Sequence, residues 1–334
     1  MATLKDVARQ ADVSVSTVSR VFNNPDKVRP DTREQVREAA DSLSYQPSRV
    51  ARRLRLKSGK AGLIGLVIPD IQNPFFADIV RGVEDVAREH DYTLVLSNSD
   101  EDPERQKVVL DTFQTEDVDG IIVPPVSFDD PAVRQLTEIS TPVVCVDRRM
   151  EDLHVDTITS ANKQGAYEAV NHLVELGHKR IAFIGGVGQV STSADRLDGY
   201  KTALRDHDLP VDSSLVRMGE SHRERGRFHT ESLLDLDRPP TALFTGNNLT
   251  TLGALAVLRT HGLNVPKDMA LVGYDDIPWA MALNPPPTVV DQPGYEMGYR
   301  AAEILLRRFK DPHRSATTVT LQPKLIVRRS CGAE

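Results

Sequence analysis

The 334-residue sequence has few cysteines and no long uncharged apolar run, and each absence excludes a class of protein. Its two cysteines, Cys145 and Cys331, lie far apart in the chain, so neither a disulfide framework nor a cysteine metal site is expected. No run of about 18 apolar residues is present, so no membrane span is expected. The charged amino terminus does not suit a secretory signal. These features predict a cytoplasmic protein with no metal and no membrane contact.

The motifs of common enzymes are also lacking. The sequence contains no G-x-S-x-G, no P-loop and no paired-histidine metal motif, and its nine histidines are scattered. The Gly-rich run IGGVGQVS follows a predicted strand, but Ser191 occupies the position where a dinucleotide fingerprint requires its third Gly or Ala. We therefore expect neither catalysis nor a bound cofactor.

Positive charge is concentrated at the amino terminus. Residues 1–60 contain 13 Lys and Arg against 7 Asp and Glu, although the whole chain has a net charge of −7. A basic segment on an acidic body favours a polyanion as the partner of that segment. A solvated basic face without a partner is the alternative on charge alone.

The basic segment begins with the spacing of three short helices. Thr3 followed by Asp6 predicts a capping box for the first helix. A tight turn at residues 12–13 leads to Ser14, a suitable N-cap for the second helix, and Pro30 suits the first position of the third. Apolar residues recur at helical spacing and are expected to face inward. They are Leu4, Val7, Ala8 and Ala11 in the first helix and Val18 and Val21 in the second.

Two helices joined by so short a turn predict a helix-turn-helix, whose second helix lies in the major groove of DNA. Small side chains at the start of that helix allow its backbone to approach the bases. Arg20 can form a bidentate contact with guanine, and the neighbouring hydroxyls can bond phosphates or base edges. A three-helix bundle with a polar face is the alternative.

The run TLKDVARQADVSVSTVSRVFNN resembles the opening of LacI-family transcription regulators. One departure is Asp12 where the family usually has Gly, and Asp tolerates a left-handed turn better than most residues. The resemblance implies that Val15, Ser16 and Arg20 read bases, with Val15 against a thymine methyl. It also implies that the phosphates are positioned by Ser14, Thr17, Ser19 and Asn23.

A second basic segment, residues 47–60, follows the predicted helix-turn-helix domain of residues 1–46. Its unpaired positive charges disfavour an isolated short helix, and phosphates would relieve that repulsion. In LacI-family proteins the corresponding segment is a hinge helix in the minor groove. The resemblance therefore implies that Arg49 and Arg52 contact DNA and that Leu54 wedges between base pairs and kinks the duplex. A flexible basic linker is the alternative.

Strands alternate with helices through residues 61–334, which predicts βαβ units and parallel sheets. Ligands bind such open sheets at the carboxyl ends of their strands. The resemblance covers essentially the whole chain and implies a periplasmic-binding-protein-like α/β core of two doubly wound parallel-sheet lobes. We expect the chain to cross between lobes near residues 147–151, 291–292 and 321–326.

The resemblance places a small-molecule effector between the two lobes, with Asp275 and Arg196 as its principal contacts. Asp, Asn and Arg side chains suit vicinal hydroxyls, and Phe and Trp stack on sugar rings. Asn248 replaces an Asp of many relatives, and its amide both donates and accepts. The first lobe offers Asp70, Ile71, Asn73, Phe75, Phe76, Asp147 and Arg148, and the second offers Ser160, Thr192, Arg196, His222, Asn248, Asp275 and Trp279.

These features together predict a transcription regulator, most simply a repressor of carbohydrate or polyol genes. A homodimer on a near-palindromic double-stranded operator is expected, controlled by a neutral sugar or cyclitol. No leucine heptad follows LIVRRSCGAE, so a dimer is expected rather than a tetramer. Two alternatives remain: a transport binding protein with the same core, and a catabolite-control-type regulator that responds to a phosphorylated protein partner.

Overall fold

The computed structural model describes residues 2–23, 25–45, 61–139 and 141–333. The chain divides into two compact units, an α-helical one within residues 1–61 and an α/β one of residues 62–334. The predicted hinge contacts of Arg49, Arg52 and Leu54 lie outside the described residues.

The helical unit contains the three predicted helices. They are α1 (Leu4–Gln10), α2 (Val15–Asn23) and α3 (Pro30–Ser42), with a 3₁₀ turn at Pro25–Lys27. The capping box is confirmed, since Thr3 N donates to Asp6 Oδ2 at 2.9 Å while Asp6 N donates to Thr3 Oγ1. Asp12 adopts φ 45°, the left-handed conformation expected of the turn. Ser14 then caps α2 by accepting from Thr17 N at 3.1 Å.

The core of this unit is small and apolar. Val7, Val18 and Val36 contribute one fully buried side chain from each helix. The other predicted inward positions are buried as well, except Leu4, which is half-buried against the same cluster. Phe22 and Tyr45 close one end with ring centroids 5.9 Å apart. The helices thus hold α2 rigidly with one face turned away from the core.

The α/β unit forms two lobes from strands β1–β12 and helices α4–α11. In chain order the first lobe receives β1 (Leu63–Ile68), α4 (Pro74–Glu89), β2 (Thr93–Asn98), α5 (Pro103–Thr115), β3 (Gly120–Val123), α6 (Pro131–Glu138), β4 (Val143–Asp147) and β5 (Asp156–Ser160). The second lobe receives α7 (Asn162–Glu175), β6 (Ile181–Gly185), α8 (Ser191–Asp206), β7 (Val216–Met218), α9 (Arg223–Leu234), β8 (Ala242–Thr245), α10 (Asn248–Thr260), β9 (Ala270–Tyr274) and β10 (Thr288–Asp291). The chain ends with α11 (Gly294–Lys310), β11 (Thr318–Leu321) and β12 (Lys324–Ile326).

Each lobe is built on one six-stranded sheet. The first has the order β11-β5-β4-β3-β1-β2 and is parallel throughout. The second has the order β12-β10-β9-β8-β6-β7, in which β12 alone runs antiparallel to its neighbour. In each sheet the carboxyl ends of the parallel strands meet at one edge, where ligands of such folds bind.

The chain passes between the two sheets at residues 160–162, 291–294 and 321–324. The second and third positions confirm the expected crossings. The first is wrong, because β5 follows residues 147–151 and still pairs with β4 in the first sheet. The polar residues after β4 suggest a linker between the lobes, but they form a loop within the first lobe.

A close helix crossing anchors α11, a late element of the chain, in the first lobe. Gly82 on α4 and Gly298 on α11 face each other across it. A Cβ at Gly82 would lie 2.2 Å from Tyr295 O, and one at Gly298 would lie 2.0 Å from Ile79 O. Since both contacts are with backbone atoms, no larger residue fits without separating the helices.

A buried carboxylate secures β5 to the same late segment. Asp156 opens β5 with a fully buried side chain that accepts from Arg308 Nε at 2.6 Å and from Thr317 N at 2.8 Å. Arg314 Nη1 approaches the same carboxylate at 3.3 Å. The charge is therefore paired from α11 and from the connection to β11, which fixes both against the edge of the sheet.

We expect Asp156→Ala to lower the free energy of unfolding by about 3–5 kcal/mol, because two partly buried guanidinium groups lose their counter-ion. Arg300→Ala is the control, since its ion pairs with Glu296 and Glu303 are exposed and its loss should cost less than about 1 kcal/mol. Chemical denaturation followed by circular dichroism measures both. Equal losses in the two variants would contradict the role given to Asp156.

Candidate DNA-binding helix and effector cleft

Helix α2 presents a polar face away from the core of its unit. Val15, Ser16 and Arg20 are exposed on this face, while Val18 and Val21 are buried on the other. An apolar side chain that is 42% exposed at the start of the helix, Val15, suits contact with a partner surface rather than packing. The distribution fits a helix that enters the major groove.

Hydroxyl groups cluster at the start of α2. Ser14 Oγ lies 2.7 Å from Ser16 Oγ and 2.8 Å from Thr17 Oγ1. Because the amino end of a helix attracts anions, these hydroxyls suit a phosphate. Ser19 is half-buried on the adjacent turn, and Asn23 ends the helix.

A cleft lies between the two lobes at the carboxyl edges of their sheets. Its cavity volume is about 30 Å³, room for little more than a water molecule, so the lobes are closed on each other. Eight of the predicted effector contacts line it: Asn73, Phe75, Phe76, Asp147, Arg148, Thr192, Arg196 and Asp275.

A ninth predicted residue, Asn248, bridges the lobes directly. Its Nδ2 donates to Asn73 Oδ1 at 2.8 Å, and the same oxygen accepts from Phe75 N to cap α4. Both amides are almost fully buried. Opening of the lobes must therefore break this hydrogen bond or replace it.

Arg196 supplies a buried positive charge on the second-lobe side of the cleft. Its Nε donates to Asn162 Oδ1 at 2.8 Å and its Nη1 to Gly246 O at 2.5 Å. The guanidinium lies over the Tyr274 ring, 3.8 Å from the centroid. Its orientation is fixed by these three contacts.

Two buried carboxylates face this charge. Burial raises the pKa of Asp275 to about 6, although Arg196 and a hydrogen bond from Gln292 oppose the rise. Burial also raises the pKa of Asp147, against the attraction of Arg148 and Arg196. Asp147 is the last residue of β4 and has φ 66°, and Asp275 directly follows β9 and has φ 65°. The two lobes therefore present these carboxylates in the same strained backbone conformation.

Buried oxygens of two cleft-lining residues and of Asn248, which is bonded to a third, have unused hydrogen-bonding capacity. Asp147 Oδ1, Asn248 Oδ1 and Gln292 Oε1 have no hydrogen-bond partner among the described residues. All three atoms are acceptors. Arg148 Nε, a buried donor of the same lining, is also without a hydrogen bond among the described residues, but it lies 3.5 Å from Asp147 Oδ2. A buried acceptor without a donor is costly, so this edge is prepared for a ligand that donates hydrogen bonds.

Several lining residues were missed from the sequence. Gln292 donates to Asp275 Oδ1 at 2.7 Å from the second lobe crossing, and Glu101 accepts from Arg148 Nη2 at 2.7 Å. The position of Gln292 next to a predicted crossing was a signal for its role, whereas Glu101 pairs with a residue 47 positions away and gave none. The remaining missed residues are Val187, Val190, Ser193, Ser221 and Asn247.

Besides Asn248 and Ser160, four predicted residues are not brought to the cleft lining. Trp279 is 49% exposed because the loop after β9 buries Ile277 and then turns outward. His222 instead caps α9 by accepting from Arg225 N. Asp70 Oδ1 accepts from Gln72 N in a local turn, and Ile71 is 64% exposed.

Ser160 also lies apart from the cleft, where it lines a separate groove at the first lobe crossing. Within the ranges that the structure covers, no group of three His, Cys, Asp or Glu side chains could hold a metal ion. Over the same ranges, no helix is both long and apolar enough to span a bilayer.

Comparison with known proteins agrees with both parts of the structure. Residues 3–48 match the family described as bacterial regulatory proteins, lacI family, and residues 170–331 match a periplasmic binding protein-like domain. Catabolite control protein A of Priestia megaterium is 35% identical over 329 residues, which is 98% of each chain.

Solved structures are similar over the whole length. A lac repressor dimer bound to operator and the anti-inducer ONPF is 28% identical, with a TM-score of 0.85 and 99% of each chain covered. A structure described as the transcriptional regulator CelR–cellobiose complex is 33% identical, with a TM-score of 0.74, and the match covers 99% of this chain and 100% of that one. These relatives are regulators rather than enzymes, which confirms the absence of catalysis expected from the sequence. The helix-turn-helix, the two parallel-sheet lobes and the full-length matches show that the chain belongs to the LacI family of transcription regulators.

Proposed function

We propose that this protein represses carbohydrate or polyol genes and that a neutral, hydroxyl-rich effector in the interlobe cleft controls its binding to a near-palindromic operator. The observation that carries the effector class is the set of unpartnered buried acceptors, Asp147 Oδ1, Asn248 Oδ1 and Gln292 Oε1. Because such a regulator binds chromosomal DNA, we place it in the cytoplasm.

The charges in the cleft support a neutral ligand. Arg148 is paired with Glu101 at 2.7 Å, and Arg196 is held by Asn162 and Gly246 O. A phosphorylated ligand would need a free cation, and it would meet the carboxylates of Asp147 and Asp275. The hydroxyl groups of a sugar would instead donate to those carboxylates. The C–H face of its ring would stack on Phe75 or Phe76. The cellobiose bound to a similar regulator is a ligand of this class.

The proposed mechanism is a linkage between lobe position and DNA binding. The closed lobes share the Asn73–Asn248 hydrogen bond, so an effector must bind open and closed arrangements with different affinity in order to shift them. In a homodimer we propose that this shift is transmitted to both DNA-binding units. That movement weakens or restores the fit of two α2 helices to the two operator half-sites.

One alternative keeps DNA binding and changes the signal. It is a catabolite-control-type regulator that responds to a phosphorylated protein partner, and the chain is similar to a protein named catabolite control protein A. Calorimetric titration with a panel of pentoses, hexoses and cyclitols separates the two proposals. Binding of one polyol favours a cleft effector, whereas no heat with any member of the panel favours the protein partner.

Arg20→Ala should lose about 1–3 kcal/mol of preference for the operator, because a guanine contact on the exposed face of α2 is removed. Fluorescence anisotropy with the operator and a scrambled duplex at one salt concentration measures this preference. Arg37→Ala on α3 removes the same charge from an exposed position outside α2 and should leave the preference unchanged. An unchanged preference in the Arg20 variant would remove Arg20 from base recognition.

Effector affinity should fall as the pH drops below about 6, since hydroxyl donors prefer the ionised form of Asp275. The folded-state pKa of Asp275 lies above the ordinary value of 3.8, so the carboxylate is ionised at pH 7 and largely protonated at pH 5. We expect about a tenfold loss of affinity between these two pH values.

Calorimetry with the polyol that binds measures this loss, and Asp275→Asn should bind weakly with a flatter pH profile while DNA binding persists. Asp111→Asn, an exposed change on α5, should keep the wild-type profile. A wild-type profile in the Asp275 variant would place the effector elsewhere.

A further inference from the structure

A second cavity lies where the chain first crosses from β5 to α7. It has a volume of about 580 Å³, within the usual range of small-molecule sites. We call it the junction groove, and its polar lining includes Arg149, Ser160, Lys163, Tyr167, Asp195 and Thr320. Asn162 lines the groove too and is bonded to Arg196 of the effector cleft, but no lining residue is shared between the two cavities.

The amino end of helix α7 opens on this groove. Its first residues, Asn162, Lys163 and Gln164, all line the cavity. The N-cap is Ala161, which offers no side-chain hydrogen bond, whereas α4, α5 and α6 are capped by Asn73, Asp102 and Asp130. The first-turn amides of a 14-residue helix therefore carry their partial positive charge without a cap from the chain.

A buried hydroxyl at the same place is also without a partner. Ser160 is 3% exposed, and its Oγ accepts and donates no hydrogen bond within the described part of the chain. The neighbouring Thr159 differs, because its Oγ1 donates to Asp147 O at 3.1 Å. An unpaired buried hydroxyl is destabilising, so its place beside uncapped amides points to a ligand that accepts from both.

Two cations flank this point, each in an exchangeable ion pair. Arg149 Nη2 lies 2.9 Å from Asp195 Oδ1, and Lys163 Nζ lies 2.7 Å from Asp198 Oδ2. The side chains of Arg149 and Lys163 are 39% and 56% exposed, so an incoming anion can reach either cation. The exposed Lys163 pair is the weaker of the two, because Arg149 donates to both carboxylate oxygens of Asp195. The rest of the lining includes Tyr167 and threonines such as Thr318 and Thr320. These side chains suit the carbon skeleton and hydroxyl groups of an organic anion.

We propose that the junction groove binds a small organic anion, a carboxylate or a phosphate, at the amino end of α7, with Ser160, Lys163 and Arg149 as its side-chain contacts. This site differs in chemistry from the effector cleft, where unpartnered acceptors favour a neutral ligand. The inference stands apart from the proposed effector, because it requires neither a sugar in the cleft nor an operator.

An anion in the junction groove would affect closure of the two lobes, because Arg149 links them. This residue follows β4 in the first lobe, yet its partner Asp195 and the Ser191 hydroxyl that accepts from its backbone N–H at 3.0 Å both belong to α8 in the second. An anion that takes the guanidinium from Asp195 loosens one tie between the lobes. The anion therefore favours the open arrangement.

Isothermal titration of the full-length protein with inorganic phosphate, malonate and glycerol tests the site, with ionic strength held constant by chloride. We expect saturable binding of phosphate, of malonate or of both, and none of glycerol. Ser160→Ala and Lys163→Ala should each weaken binding several-fold, whereas Asp195→Asn should strengthen it because Arg149 becomes free.

Ala161→Asp is the decisive variant, since it places a carboxylate at the cap position of α7. It should abolish anion binding while the melting temperature stays the same or rises, so loss of binding cannot be assigned to misfolding. Asp111→Asn, the exposed change on α5, is the control and should bind phosphate like the wild type. No saturable binding of either anion, binding of glycerol, or undiminished binding in the Ala161 variant would each overturn the site.

Discussion

The guanidinium of Arg196 is the charge on which the effector cleft depends. Two carboxylates, Asp147 and Asp275, are buried at the carboxyl edges of opposite sheets, and desolvation alone would favour their neutral forms. Arg196 opposes that tendency and is itself fixed by the Tyr274 ring and by Asn162 at 2.8 Å. Since Arg148 is paired with Glu101 and Arg196 is bonded to Asn162 and Gly246 O, a ligand would meet preformed acceptors rather than a free cation. We therefore expect the site to select by hydrogen-bond direction more than by charge.

The parts of the fold that depend on local sequence could be predicted from it. The capping box at Thr3 and the left-handed turn at Asp12 lie within a few residues of their partners, and both are found. The first lobe crossing could not be placed, because β5 reads as the polar run DTITS. That strand is buried since Asp156 pairs with Arg308, which is 152 residues away.

The cleft shows the same division between local and distant signals. Residues directly after strands, such as Asn73 and Asp147, were found because parallel strands gather their carboxyl ends. Trp279 follows a strand too, but the loop after β9 turns it to solvent, and nothing in its spacing shows this. Ser160 was assigned to the cleft by resemblance, whereas the structure places it in the junction groove. Spacing along the chain thus identifies the edge of a sheet but not the side on which a side chain lies.

The three crossings have a consequence for biosynthesis. Helix α11 contributes Met297, Ala301 and Leu305 to the core of the first lobe, although it follows the entire second lobe in the chain. A nascent polypeptide therefore exposes the apolar face of α4 until α11 has been translated. The second lobe waits only for its short edge strand β12 and the turn around Cys331. Since β12 and Cys331 follow α11, neither lobe completes its core before most of the other has been made, and the half encoded first remains open to chaperones and proteases for longer.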